Sequence, residues 1–177
     1  MTQGVNDVDV FTHILSTQWD SSWPRWLNPN EQQEIFNYWE DRFGITKDIF
    51  NEYILAASSK TVYLIRKSEH ILRCASIRIQ NIGIPFIRDV AGYLKPTTWA
   101  VQKFGKLAKK NIFNIDYDLL HTLVTQGEIK YPIDTSSGYV IIAVESNIWG
   151  CALFLEPDRL LCRFPKALKK AKIFETS

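Results

Sequence analysis

Residues Asn81–Asn111 read NIGIPFIRDVAGYLKPTTWAVQKFGKLAKKN, and apolar pattern, turn chemistry and clustered positive charge meet in this one stretch. After Gly92, Pro96 suits the first position of a helix, where its missing N–H costs nothing, with Thr97 and Thr98 inside the first turn. Lys95 stands at the boundary. Projected at about 100° per residue, Ala100, Val101, Phe104, Leu107 and Ala108 share one arc, and Lys103, Lys106 and Lys110 share the other with Trp99. The spacing therefore predicts a helix over 96–108 with a buried stripe and a basic, Trp-bearing face. A flat indole beside ammonium groups suits a base stacked near a phosphate backbone. The same spacing also describes an ordinary solvated face whose Trp covers its own helix or a neighbouring loop.

The rest of the composition bounds this reading. At 177 residues, 46% apolar and 13% aromatic, the chain can bury one ample core or two small ones and does not have a disordered composition. No run approaches the roughly 18–20 apolar residues of a membrane span, and the opening MTQGVNDVDV has neither the basic start nor the apolar centre of a leader. The expectation is a soluble, cytoplasmic protein. Cys74, Cys151 and Cys162 lie apart, each in an apolar run, and read as small buried hydrophobes in a reducing compartment. The net charge of +2 hides a polarity. Residues 1–58 hold three Lys or Arg against nine Asp or Glu, and residues 59–177 hold eighteen against ten. A basic working surface in the C-terminal part is implied, and a polyanion is its commonest partner.

In chain order, residues 1–27 form an acidic arm with Trp19, Trp23 and Trp26, read as a staple onto the body and alternatively as a docking patch for another protein. Asn28 as N-cap, Pro29 and the acidic Glu31 and Glu34 predict a helix to about Arg42, with Ile35, Phe36, Trp39 and Phe43 buried and Gly44 as terminator. A short helix over about 47–55, a strand over 61–65 and extended structure over 71–79 follow. From Asn111 the pattern predicts a strand over 112–115 and a helix opened by Asp116 or Asp118 and stopped by Gly127. Strands over 139–144 and 148–155 come next, then one in which Leu160, Cys162 and Phe164 alternate with Arg159, Leu161 and Arg163. The fold class is α+β: a mixed α/β first unit and, from the closely spaced strands, a small β-barrel or sandwich as the second.

No catalytic constellation emerges. His13, His70 and His121 lack spaced partners, no glycine-rich phosphate loop appears, and nothing adjacent would lower a thiol pKa. A small enzyme of another kind would need an apolar pocket with convergent polar groups, which the sequence does not display.

The order of short motifs does resemble a known family. Gly83-Ile84, Gly92-Tyr93, Phe113-Asn114-Ile115, Gly127, Gly138-Tyr139-Val140-Ile141-Ile142, Asn147 to Leu153 and Arg159 to Lys166 are similar to the C-terminal tail of RsmF-type rRNA cytosine-5 methyltransferases of the Nol/Nop/Sun family. More loosely, they resemble the pre-PUA plus PUA arrangement of Nip-type ribosome-assembly factors. The resemblance covers about residues 31–172. It implies a pre-PUA-like α/β domain over 28–110, after the 1–27 arm, and a PUA-like β-barrel over 111–177 that binds structured RNA. The methyltransferase domain, with its S-adenosylmethionine loop and catalytic cysteine, is missing, so the activity does not carry over and no cofactor or metal is implied.

The resulting expectation is a non-catalytic RNA-binding protein acting on rRNA or tRNA. Lys95, Lys103, Lys106, Lys109 and Lys110 would hold phosphates and Trp99 would stack on a base or cover a ribose. Arg159, Arg163, Lys166, Lys169 and Lys170 would extend the track. The alternative is an accessory subunit of a split RNA methyltransferase, with the N-terminal arm docking a catalytic or ribosomal protein partner.

Overall fold

The computed structural model describes residues 7–165 and 167. The chain groups into two units, the first holding residues up to Tyr38 and 46–94, the second holding 39–45 and residues from Lys95 onward. Residues 95–110, assigned to the first unit from sequence, thus group with the second.

The first unit is built on a five-stranded sheet, β1 (Arg25–Trp26), β2 (Tyr53–Ser58), β3 (Thr61–Arg66), β4 (Ile84–Val90) and β5 (Tyr93–Pro96), in sequence order across the sheet. The β1–β2, β2–β3 and β3–β4 pairs are antiparallel. Helix α1 (Asp7–Ser16) lays Val10 and Ile14 against Trp26, Ile54, Ala56 and Ile65, with Trp19 and Trp23 packed around them. The three indoles pair at centroid distances of 4.5, 5.1 and 6.0 Å. Trp19 donates its ring N–H to the Ile14 carbonyl and Trp23 to that of Ile77, each at 2.9 Å. Amphipathic rings are used this way when their apolar body is covered and their polar tip finds an acceptor. From Asp7 on, the arm is therefore a helix and an edge strand of this unit, and its tryptophans pack there.

Helix α2 (Pro29–Phe43) begins where the sequence predicts. Asn28 Oδ1 accepts the Glu31 N–H at 3.0 Å and Glu31 returns a carboxylate to the Asn28 N–H at 2.8 Å, a reciprocal cap. The Arg25 guanidinium grips the same carboxylate with two hydrogen bonds and holds it below the usual carboxylate range, aided by the Asn28 N–H. Phe36 stacks on Phe50 at 5.0 Å, and Phe86 meets Phe50 edge-on at 5.3 Å. Gln32 is buried, with its amide N–H donating to the Leu27 carbonyl at 2.9 Å and its Oε1 accepting the Leu55 N–H at 3.1 Å. It acts as an inserted peptide group between the end of β1 and β2. Gln32→Leu keeps the volume but leaves both backbone groups bare, so unfolding stability measured by denaturant titration is expected to fall by about 2 kcal/mol.

Two expected elements are replaced in this unit. The predicted helix over 47–55 is a single 3-10 turn, Lys47–Phe50, because Tyr53 to Leu55 already pair in β2 with β3. The predicted extended run 71–79 is a 3-10 helix, Glu69–Cys74, capped by the Ser68 hydroxyl. Cys74 there is partly exposed, unlike the other two cysteines. The strand comes later, as β4, joined to β5 through Ala91 and Gly92 at φ of 54° and 82°. Positive φ at both turn residues is the hairpin signature.

The second unit carries α3 (Thr98–Phe104), α4 (Tyr117–Gln126) and a sheet of β6 (Ile112–Asn114), β7 (Glu128–Lys130), β8 (Gly138–Val144), β9 (Asn147–Leu155) and β10 (Arg159–Cys162). The order is β6-β8-β9-β10-β7, with β6 parallel to β8 and antiparallel pairs β8–β9, β9–β10 and β10–β7. Among the described residues the sheet has β6 and β7 at its two ends with no pairing between them, and no closed barrel is found. Asp116 caps α4 through the Leu119 N–H at 2.7 Å, and Gly127 ends it in the left-handed region at φ 81°. Leu120, Leu123 and Val124 then pack on Val140, Ile142, Ala152, Phe154 and Leu160. By strand alternation Ile141, Cys151 and Leu153 face the other way, toward the side on which α3 lies along β9. No described helix is long and apolar enough to cross a membrane.

Candidate nucleic-acid interface

Helix α3 is shorter than the sequence spacing implies. Thr97, not Pro96, opens it, its Oγ1 accepting the Ala100 N–H at 3.2 Å, and Pro96 is the last residue of β5. The α-helix stops at Phe104 and a 3-10 turn, Gly105–Leu107, follows. A side chain at Gly105 would begin 3.1 Å from Ile148, so the chain lies tight on β9 there. The buried stripe survives as Ala100, Val101 and Phe104, but Leu107 is 46% exposed because the helical register is lost before it.

The basic face is divided by the same ending. Trp99 is 68% exposed and Lys103, one turn on, is exposed with its ammonium 5.6 Å from the Phe104 ring centroid. Lys106 is exposed on the 3-10 turn. Lys109 and Lys110 are exposed on a separate stretch, held by their backbone N–H groups on the Phe43 carbonyl at 2.8 and 3.1 Å. Lys95 is half-buried in β5. The six-residue set thus resolves into Trp99, Lys103 and Lys106 on α3 and the turn after it, Lys109 and Lys110 on a separate stretch, and Lys95 alone on β5.

Side-chain bonds within the second unit set the position of Lys109 and Lys110. Arg42 donates from Nε to the Tyr139 carbonyl at 2.7 Å and from Nη2 to that of Ser136 at 3.1 Å. Asn111, at φ 52°, donates its amide to the Arg42 carbonyl and accepts the Thr135 hydroxyl, each at 2.6 Å. Gly138 leaves room for that guanidinium, since a Cβ would fall 2.9 Å from Arg42 Cζ.

The C-terminal part of the expected track changes. Arg159 is not a free cation: Glu128 on β7 takes its Nε at 2.6 Å and its Nη2 at 3.0 Å. That fork holds the Glu128 carboxyl below its ordinary range. The cross-strand neighbour β7, too short to be read from sequence, supplies the carboxylate. Arg163 is half-buried beyond β10. Lys166, Lys169 and Lys170 lie outside the described residues. Cys151 is fully buried beside the Pro96 carbonyl at 3.4 Å, and burial pushes its thiol up to about 12, the opposite of an activated nucleophile.

Sequence reading missed the contacts that Gln102, Trp149 and Tyr117 make. Gln102 donates its amide to the Trp149 carbonyl at 3.3 Å, and Tyr117 meets Trp149 edge-on. The available signal was the N-cap at Asp116, which makes Tyr117 the first, outward-facing helical residue. No protein-family model matches this chain, and no curated protein matches it.

Proposed function

We propose that this chain is a non-catalytic RNA-binding protein acting on structured rRNA or tRNA, in ribosome assembly, RNA modification or association with the ribosome. In this reading the first unit is a pre-PUA-like domain and the second a PUA-like domain. A sheet of short, closely spaced strands with α4 on one face supports the latter. The observation that carries the function is Trp99: within α3 every other apolar side chain is buried, while this indole stands in solvent one turn from Lys103. An uncovered indole beside ammonium groups offers a stacking face next to phosphate ligands.

Lys103 and Lys106 hold phosphates beside Trp99, Lys109 and Lys110 hold a further segment, and Lys95 contributes from the edge of β5. Arg163 and the lysines beyond it extend the track, whereas Arg159 serves the sheet through Glu128. Purified from its own cells at low salt, the protein is expected to carry a defined rRNA or tRNA segment. Replacing Lys103, Lys106 and Lys110 by alanine together should weaken binding to that RNA and reduce the log–log salt slope by about two to three. An unchanged slope in a salt titration would remove the lysines from the site.

A further inference from the structure

A pocket of about 190 Å³ opens within the first unit, lined by residues of α1, α2, the Lys47–Phe50 turn and the start of β2. Four aromatic rings line it: Phe36 stacked on Phe50, and the half-buried Phe11 and Tyr53. Gln32 also lines it, but its amide is already engaged by the Leu27 carbonyl and the Leu55 N–H. The deep part of the pocket therefore suits apolar surface, since a polar group taken there would lose its water without a ready partner. Cations stand among the lining residues. Lys47 and Lys67 are both half-buried, an arrangement in which the stem packs on the wall and the ammonium reaches water. No Asp or Glu lines the pocket, and among the described residues Lys67 has no acidic partner. Glu52, next to the lining residues Asn51 and Tyr53, is bonded instead to Arg66 at 2.9 Å.

We infer that this pocket binds a small aromatic acid, with its single ring among the phenylalanines and Tyr53 and its carboxylate on a short arm at Lys67 and Lys47. Volume sets the size of the guest. A cavity of roughly 150 Å³ holds one benzene molecule, so this pocket takes one ring with a short substituent and is too small for a lipid chain. The walls set its shape, because aromatic side chains favour a flat partner packed offset or edge-on. Charge sets its sign: two ammonium groups with no carboxylate among the lining residues attract an anion that stays at the wet mouth. The inference stands independently of RNA binding, which is placed on the second unit's lysines.

The test titrates the full chain with phenylacetate, its neutral amide phenylacetamide and uridine monophosphate, followed by the NMR signals of the backbone amides. Phenylacetate is expected to move the signals of residues 47–53 and Lys67 with a Kd of about 1 mM or tighter. It should bind about three- to fivefold more tightly than phenylacetamide, the effect of a partly exposed charge pair. Lys67→Met keeps the stem and removes the charge, so it should cancel most of that difference while leaving the thermal midpoint unchanged. Gln33→Trp, at an exposed position of α2 that lines the pocket, should block both probes. Equal affinity for acid and amide, or a difference that persists in full in Lys67→Met, overturns the assignment of an acid. Binding that survives Gln33→Trp overturns the pocket. Absence of phenylacetate binding up to about 10 mM overturns the inference altogether, and tighter binding of uridine monophosphate overturns it in favour of a nucleotide.

Discussion

Replacing Gly83 by alanine is expected to lower the unfolding stability of the protein by more than about 3 kcal/mol, among the larger effects a single methyl can have. Gly83 enters β4 at φ 59°, and a Cβ there would fall 2.4 Å from the Leu64 carbonyl oxygen and 2.7 Å from Ile65 Cγ1. The first of these is backbone, so no rotamer change relieves it. Relief requires β3 and β4 to part where Leu64 pairs with Ile84 and Tyr63 with Pro85. Leu64 and Ile65 are buried, and separating the strands would open the core on both faces of the sheet. Gly92 supplies the control. It has φ 82° but nothing within 4 Å of a built Cβ, so Gly92→Ala should cost only the backbone strain, about 1 kcal/mol. Denaturant midpoints by circular dichroism compare the two. Equal losses would mean that the close approach at Gly83 contributes nothing.

The second large effect is expected at Trp39. It is fully buried, 5.3 Å from the Phe43 ring and 6.4 Å from that of Phe104. Phe104 is the last residue of α3. Trp39→Ala should therefore cost about 3–5 kcal/mol and take support from the helix that presents Trp99 and Lys103. Trp39→Phe, which keeps an aromatic ring against Phe104, is expected to recover more than half of that loss. Urea unfolding of the three proteins measures this, and a loss below about 1 kcal/mol for the alanine variant would show that the cavity closes around the site.

Signals confined to a few neighbouring residues were legible in the sequence. The Asn28 N-cap, an aspartate cap at Asp116 or Asp118 and the Gly44 and Gly127 terminators act within one helical turn, and they put α2 and α4 where the residues predict. The alternation through Leu160, Cys162 and Phe164 is equally local and marks the buried face of β10. Errors arose where a distant partner decided between two locally acceptable conformations. Residues 53–55 satisfy a helical pattern, but the ladder to β3 makes them a strand. Residues 71–79 alternate like a strand, yet among the described residues none of them joins a strand ladder, and Ser68 caps a 3-10 helix over Glu69–Cys74.

The same division runs through the candidate site. By itself the sequence determined that a Trp and several lysines share a short basic stretch and that Ala100, Val101 and Phe104 turn inward, because helical periodicity is a property of neighbours along the chain. Only the tertiary structure decided where that helix ends, since the close passage of Gly105 over Ile148 is a contact across many residues. It likewise pinned Lys109 and Lys110 to the Phe43 carbonyl, neutralised Arg159 with Glu128 from the neighbouring strand, and brought the Trp149 carbonyl to Gln102 and the Trp149 ring to Tyr117. Those outcomes depend on which strands become neighbours, and strand pairing is a choice made by the whole core.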